Sequence, residues 1–323
     1  MTEPPAPSTS TGDAGARAGL RRFIGVDLGG GRGKTTAVAR LEHTEHDGIW
    51  RLVLADAKLR YGQRGTGRDD EPSGGDTLFR DDVLVDYLER WTDAHTLVAI
   101  DAPLTLPACI RCTLPCPGVE RCEVPVVQWM RAWAPRLRAR GRSDPGKPAV
   151  TPYTQRAAEL LLQGLGLSPR ESLGQGTGPL AARASFLRRR LSPRLRLHEN
   201  LLEVAPALTL VQWLGSDRTR ALYHGDQATV WEQRKRVLHA LAKGLAFEYV
   251  WPEMVVRNVH VFHAVICAFT ASLWASGRCS SAAQLAAGEQ GTEVTAAAAA
   301  ALGTMWLQDG WIALPRRPAT SSP

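Results

Sequence analysis

An apolar run, Phe23-Ile24-Gly25-Val26-Asp27, leads directly into Leu28-Gly29-Gly30-Gly31-Arg32-Gly33-Lys34-Thr35-Thr36. A strand that ends on a carboxylate beside a glycine turn is the strongest constraint in this chain. The run has the look of a P-loop, but that motif needs a glycine five residues before the Gly33-Lys34 pair, where Leu28 stands. A P-loop must also open a helix. Here Thr35 to Leu41 is β-branched and roughly alternating, which predicts a returning strand. The reading is a β-hairpin whose Asp27 either caps the turn or holds a metal or phosphate at the strand end.

The next strand repeats the theme. Thr96-Leu97-Val98-Ala99-Ile100 is apolar and ends in Asp101-Ala102-Pro103, where proline stops strand pairing. Trp50 to Leu59 reads as a third hairpin strand, and Leu78 to Trp91 carries Val83, Leu84, Tyr87, Leu88 and Trp91 at helical spacing. The order strand, strand, strand, helix, strand opens an α/β ribonuclease-H-like fold: a three-strand antiparallel start, then parallel strands, with flanking helices. Its first and fourth strands are parallel neighbours, which brings Asp27 and Asp101 together.

With 323 residues, 44% of them hydrophobic, the chain has ample material for a packed core. Residues 1–20 are rich in Pro, Ser, Thr, Gly and Ala and read as a disordered tail, as do 317–323. A single domain is expected over 21–316, with a Cys/Pro/Arg-rich insertion at about 104–150. No export signal or membrane-spanning stretch is visible, so a cytoplasmic location without membrane contact is expected. The net charge of +7 comes from arginines concentrated at 131–142 and 183–196. They suit a nucleic-acid phosphate backbone or, equally, a solvated surface. Trp129 and Trp133 could stack on bases, yet tryptophans four apart are more often core.

Cys109, Cys112, Cys116 and Cys122 fall within fourteen residues, with two, three and five residues between them. Four thiolates can surround one ion at such spacing. Zinc is the first expectation and an iron–sulfur cluster the second, with unligated thiols as the plain alternative. Beyond them, Thr151 to Leu160 reads as a helix start in which Tyr153, Arg156 and Glu159 share a face and could offer an arginine to a phosphate. Leu197 to Pro206 reads as a short strand closed by proline, presenting Glu203 as a third strand-end carboxylate. In a final helix, Val259 to Ala275, the residues Phe262, Ile266, Phe269 and Leu273 form a buried stripe, with His260 and His263 beside it as candidate metal ligands.

Taken in order, Ile24-Gly25-Val26-Asp27, Ala99-Ile100-Asp101-Ala102-Pro103, Pro152-Tyr153-Thr154-Gln155-Arg156, Leu202-Glu203-Val204-Ala205-Pro206, His263 to Ala271 and Asp309 to Pro315 resemble the family named domain of unknown function 429. Its members are regarded as predicted nucleases of ribonuclease-H-like fold. Asp27, Asp101 and Glu203 match the family's acidic positions. The chain departs at His263, where the usual motif has aspartate followed by alanine, similar to the Asp-x-x-Asp-Ala helix of Holliday-junction resolvases; here both acidic positions are histidine.

The resemblance implies metal-assisted phosphodiester hydrolysis by Asp27, Asp101, Glu203 and His263, with two divalent ions, Mg²⁺ or Mn²⁺, roughly 4 Å apart. Imidazole ligation by His260 and His263 shifts preference toward Mn²⁺. Two rivals stand beside this reading. An actin-like phosphotransferase would wrap Gly29 to Lys34 around the phosphates of ATP, but no second acidic-glycine loop follows an apolar strand. A catalytically inactive nucleic-acid-binding or scaffold protein would keep binding when Asp27 is lost.

Overall fold

The computed structural model describes residues 19–30, 35–46, 49–59, 81–139, 148–242, 245–246, 252–280 and 309–316. Lys34, Arg140, Arg142, Lys147 and nearly all of both expected tails lie outside them.

The strands are β1 (Arg22–Asp27), β2 (Ala37–His46), β3 (Ile49–Leu59), β4 (Thr96–Asp101), β5 (Leu201–Val204), β6 (Leu245–Ala246), β7 (Cys279–Ser280) and β8 (Ile312–Pro315). They form one sheet in the order β6-β3-β2-β1-β4-β5-β8-β7. β1, β2 and β3 are antiparallel neighbours, while β1, β4, β5 and β8 run parallel. This mixed α/β arrangement is consistent with the expected ribonuclease-H-like fold. The longer helices are α1 (Asp81–Trp91), α2 (Pro125–Ala139), α3 (Ala157–Gly164), α4 (Gly178–Arg190), α5 (Pro206–Leu214), α6 (Gln227–Ala242) and α7 (Val259–Ala275). Among the described residues no helix is long and apolar enough to cross a membrane.

Strand parity decides which layer each side chain enters, because successive residues point to opposite faces. Phe23, Leu97, Ala99, Leu202 and Val204 join a core with α7. Ile24, Val26, Val98, Ile100 and Leu201 join the opposite core with α1 and α4. α7 lies against β1 where Gly25 leaves the surface flat: a Cβ there would sit 1.9 Å from the Ala264 carbonyl oxygen and 2.4 Å from the Ala268 nitrogen. A strand glycine marks such close backbone approach. The expected stripe on α7 is wider than read, since Val261, Ala264, Val265, Cys267, Ala268 and Ala271 are buried as well. This is a central helix, apolar nearly all round.

The segment expected as an insertion at about 104–150 contains a regular element, and two local readings are corrected. α2 carries Val126, Val127, Met130, Trp133 and Leu137 into a third core with Leu160 and Leu161 of α3. Trp133 donates its indole N–H to the Leu160 carbonyl at 3.0 Å and stacks on Trp129, so this pair packs inside the protein. The helix expected from Thr151 begins only at Ala157, with Arg156 as its N-cap residue. Tyr153, Arg156 and Glu159 therefore share no helical face: Tyr153 is exposed, while Arg156 and Glu159 are buried. Finally, the strand read over Leu197 to Pro206 is confined to β5, and Pro206 opens α5, where its missing N–H costs nothing.

Candidate metal centre

The β1–β4 register pairs Asp27 with Asp101, so both carboxylates leave the same face at the adjacent carboxyl ends of two parallel strands. That face is the one covered by α7, whose first turns bring His260 and His263 to the acids. Asn258 caps the helix by accepting the His260 and Val261 backbone N–H groups at 2.9 and 3.2 Å. The positive end of the helix thus points toward the carboxylates.

Ligand atoms of Asp27, Asp101 and His263 all lie within 4.8 Å of one another. Asp27 Oδ2 is 3.1 Å from His260 Nδ1 and 3.3 Å from His263 Nδ1. Burial alone would raise the Asp27 carboxyl, but hydrogen bonds and charge from the two imidazoles hold it below its usual range. Asp101 has weaker support. Burial, together with the negative charge of Asp27 and Glu203, pushes its carboxyl up to about 6, and Arg170, 3.3 Å away, only partly offsets this.

Two of these neighbours were not legible in the sequence. Tyr223 Oη is 2.8 Å from His263 Nε2, on the ring side away from Asp27. Its turn is held by Arg234, which donates to the Leu222 and Val256 carbonyls at 3.1 and 2.9 Å. A partner on the second nitrogen fixes ring orientation, as in metal sites generally. Arg170 follows Ser168-Pro169 in a loop with no periodicity, and its side chain is 66% exposed. No spacing rule points to either residue. Both line a cleft of about 1120 Å³ that also reaches Asp27, Asp101, His260 and the glycine turn at Gly29 and Gly30.

Glu203 does not join this group. It pairs in register with Ile100, not Asp101, and so points to the opposite face; the β5 residue on the Asp101 face is apolar Val204. Its carboxylate accepts from Arg156 Nη1 and from the Leu104 backbone N–H, each at 2.8 Å. Arg156 is likewise consumed: it also donates to Glu159 at 2.9 Å and Thr105 at 2.8 Å. The arginine clusters are partly structural as well. Arg183 binds Asp81, Arg188 the Leu104 carbonyl and Arg194 the Glu89 carbonyl. The four cysteines of the insertion are free thiols lining a separate cavity.

Among known protein families, residues 25–286 match the one described as protein of unknown function (DUF429). No curated protein and no solved structure matches the chain.

Proposed function

The chain belongs to the DUF429 family, and from that premise we propose that it hydrolyses phosphodiester bonds in nucleic acid with a divalent ion held by Asp27, Asp101 and His263. The observation that carries this reading is the convergence of those three ligand atoms within 4.8 Å at the carboxyl ends of β1 and β4. The donor set fits such an ion. Two carboxylates lie side by side in a buried site, one with its carboxyl raised to about 6, which is the electrostatic state that a cation relieves.

Bound there, a divalent ion would polarise a phosphoryl oxygen as a Lewis acid and make a bound water more acidic than bulk water. The chain's own groups do the rest. Asp27 and Asp101 hold the ligand positions rigid at strand ends, and Tyr223 orients the His263 ring. His260, hydrogen-bonded to Asp27 Oδ2 through its half-exposed ring, helps to keep that carboxylate ionised. Arg170, exposed at the rim, offers a charge to a substrate phosphate. Imidazole among the donors favours Mn²⁺ over Mg²⁺.

The test is cleavage of labelled single-stranded, duplex and branched DNA and RNA by the wild type and Asp27→Asn. Cutting is expected with Mn²⁺, and the variant should be slower by more than about a hundredfold. Equal cutting by the variant would remove Asp27 from the catalytic centre, and binding without cutting by both proteins would replace this reading with that of a nucleic-acid-binding module.

A further inference from the structure

We infer that Cys109, Cys112, Cys116 and Cys122 form a second, structural metal site that takes Zn²⁺ and fastens the segment between β4 and α2. All four line one cavity of about 570 Å³. Deprotonated, these four thiols give a cation a charged, sulfur-rich donor set within that one cavity.

Apolar burial contributes little to holding the segment in shape. From Arg111 to Arg121 no residue is buried, and Leu114 is 66% exposed. Its regular structure is one helical turn at Ala108–Arg111 and a 3-10 turn at Val119–Arg121. Ordering such a chain costs conformational entropy that apolar burial does not offset here, which is the situation in which small units use a metal staple. The ends are already anchored. Arg111 donates to Asp309 at 2.8 Å, and Arg131 of α2 donates to the Val119 carbonyl at 2.8 Å.

Zinc suits these donors better than a redox cluster. Cys112 and Cys116 are exposed, and Zn²⁺, having no redox chemistry, is indifferent to solvent. Zn–S bonds of about 2.3 Å require sulfurs about 3.8 Å apart in a tetrahedron. Among the described residues no three of these sulfurs lie within 4.8 Å of one another, so metal binding requires the Cys112 to Cys116 stretch, in which every residue is exposed, to draw inward.

Protein purified under reducing conditions without chelator would be analysed for metal by mass spectrometry, beside Asp27→Asn and a Cys112→Ser/Cys116→Ser double variant. About one zinc per chain is expected in the wild type and in Asp27→Asn, and less than about a tenth of that in the double variant. Reconstitution of the wild type with Co²⁺ alone should give the strong near-ultraviolet sulfur-to-cobalt band of a four-thiolate site, a readout that needs no folded variant. Zinc retained in the double variant, zinc lost in Asp27→Asn, iron with inorganic sulfide, a disulfide, or wild type that carries no zinc and gives no cobalt–thiolate band would each overturn the proposal. None of these results depends on nuclease activity.

Discussion

Arg156→Ala is expected to remove about 3–5 kcal/mol or more of folding stability, a large share of what a domain of this kind possesses. The side chain is 1% exposed and forms ion pairs with two carboxylates, Glu159 and Glu203, that are themselves buried. Truncation leaves both acids charged in a low-dielectric interior with one strong donor gone. Glu159 keeps the Ser172 backbone N–H, at 3.2 Å, and Glu203 keeps that of Leu104. Arg156→Lys should recover little, because one ammonium cannot reproduce a fork that reaches Glu159, Thr105 and Glu203 together. Space is equally fixed: a Cβ on Gly310, whose φ is +98°, would meet Thr105 Oγ1 at 2.1 Å. Urea denaturation measures the loss, and a change below about 1 kcal/mol would show that the network is surface-like in energy.

Gly25→Ala is the second large effect. The added methyl would overlap backbone atoms of Ala264 and Ala268, which cannot rotate away as a side chain can. α7 must retreat from β1, opening gaps along an extensive helix–sheet contact. Overpacking typically costs about 1–3 kcal/mol, and a clash with backbone belongs at or above the top of that range. Gly178→Ala supplies the control, since nothing lies within 4 Å of its Cβ position. The same substitution moves His260 and His263 relative to Asp27. Divalent-ion binding should therefore weaken in Gly25→Ala even under conditions where the protein remains folded. Unchanged stability in Gly25→Ala, measured beside the control, would contradict the close packing described.

What was legible in the sequence follows from where local pattern suffices. An apolar run ended by a carboxylate identifies β1 and β4, and the order of elements makes them parallel neighbours, so the Asp27–Asp101 pairing could be read directly. α7 was legible from its apolar content, and its bounds match the reading, Val259–Ala275. Glu203 could not be placed, because a shift of one residue in the β4–β5 register moves it to the other face, and register is a tertiary property. Arg156 looked like a substrate ligand because the proline and polar spacing suggested an earlier helix start. Tyr223 and Arg170 enter the site from loops, where no periodicity marks them. α2 was hidden by its prolines and arginines, although Val126, Met130, Trp133 and Leu137 do recur at helical spacing.

The most direct test of the metal centre compares thermal unfolding of the wild type and Asp101→Asn at neutral pH, with and without Mn²⁺. The folded-state carboxyl of Asp101 lies at about 6, above its unfolded value of 3.8. Its contribution to stability is therefore present below about pH 4 and lost as pH rises through 6, so at neutral pH the ionised group opposes folding by up to about 3 kcal/mol. Without metal, Asp101→Asn should melt a few degrees higher than the wild type, the gap closing as pH falls toward 4. Mn²⁺ should then raise the melting temperature of the wild type and leave the variant nearly unchanged. Equal Mn²⁺ shifts in both proteins, or no shift in either, would contradict an ion held by Asp27, Asp101 and His263.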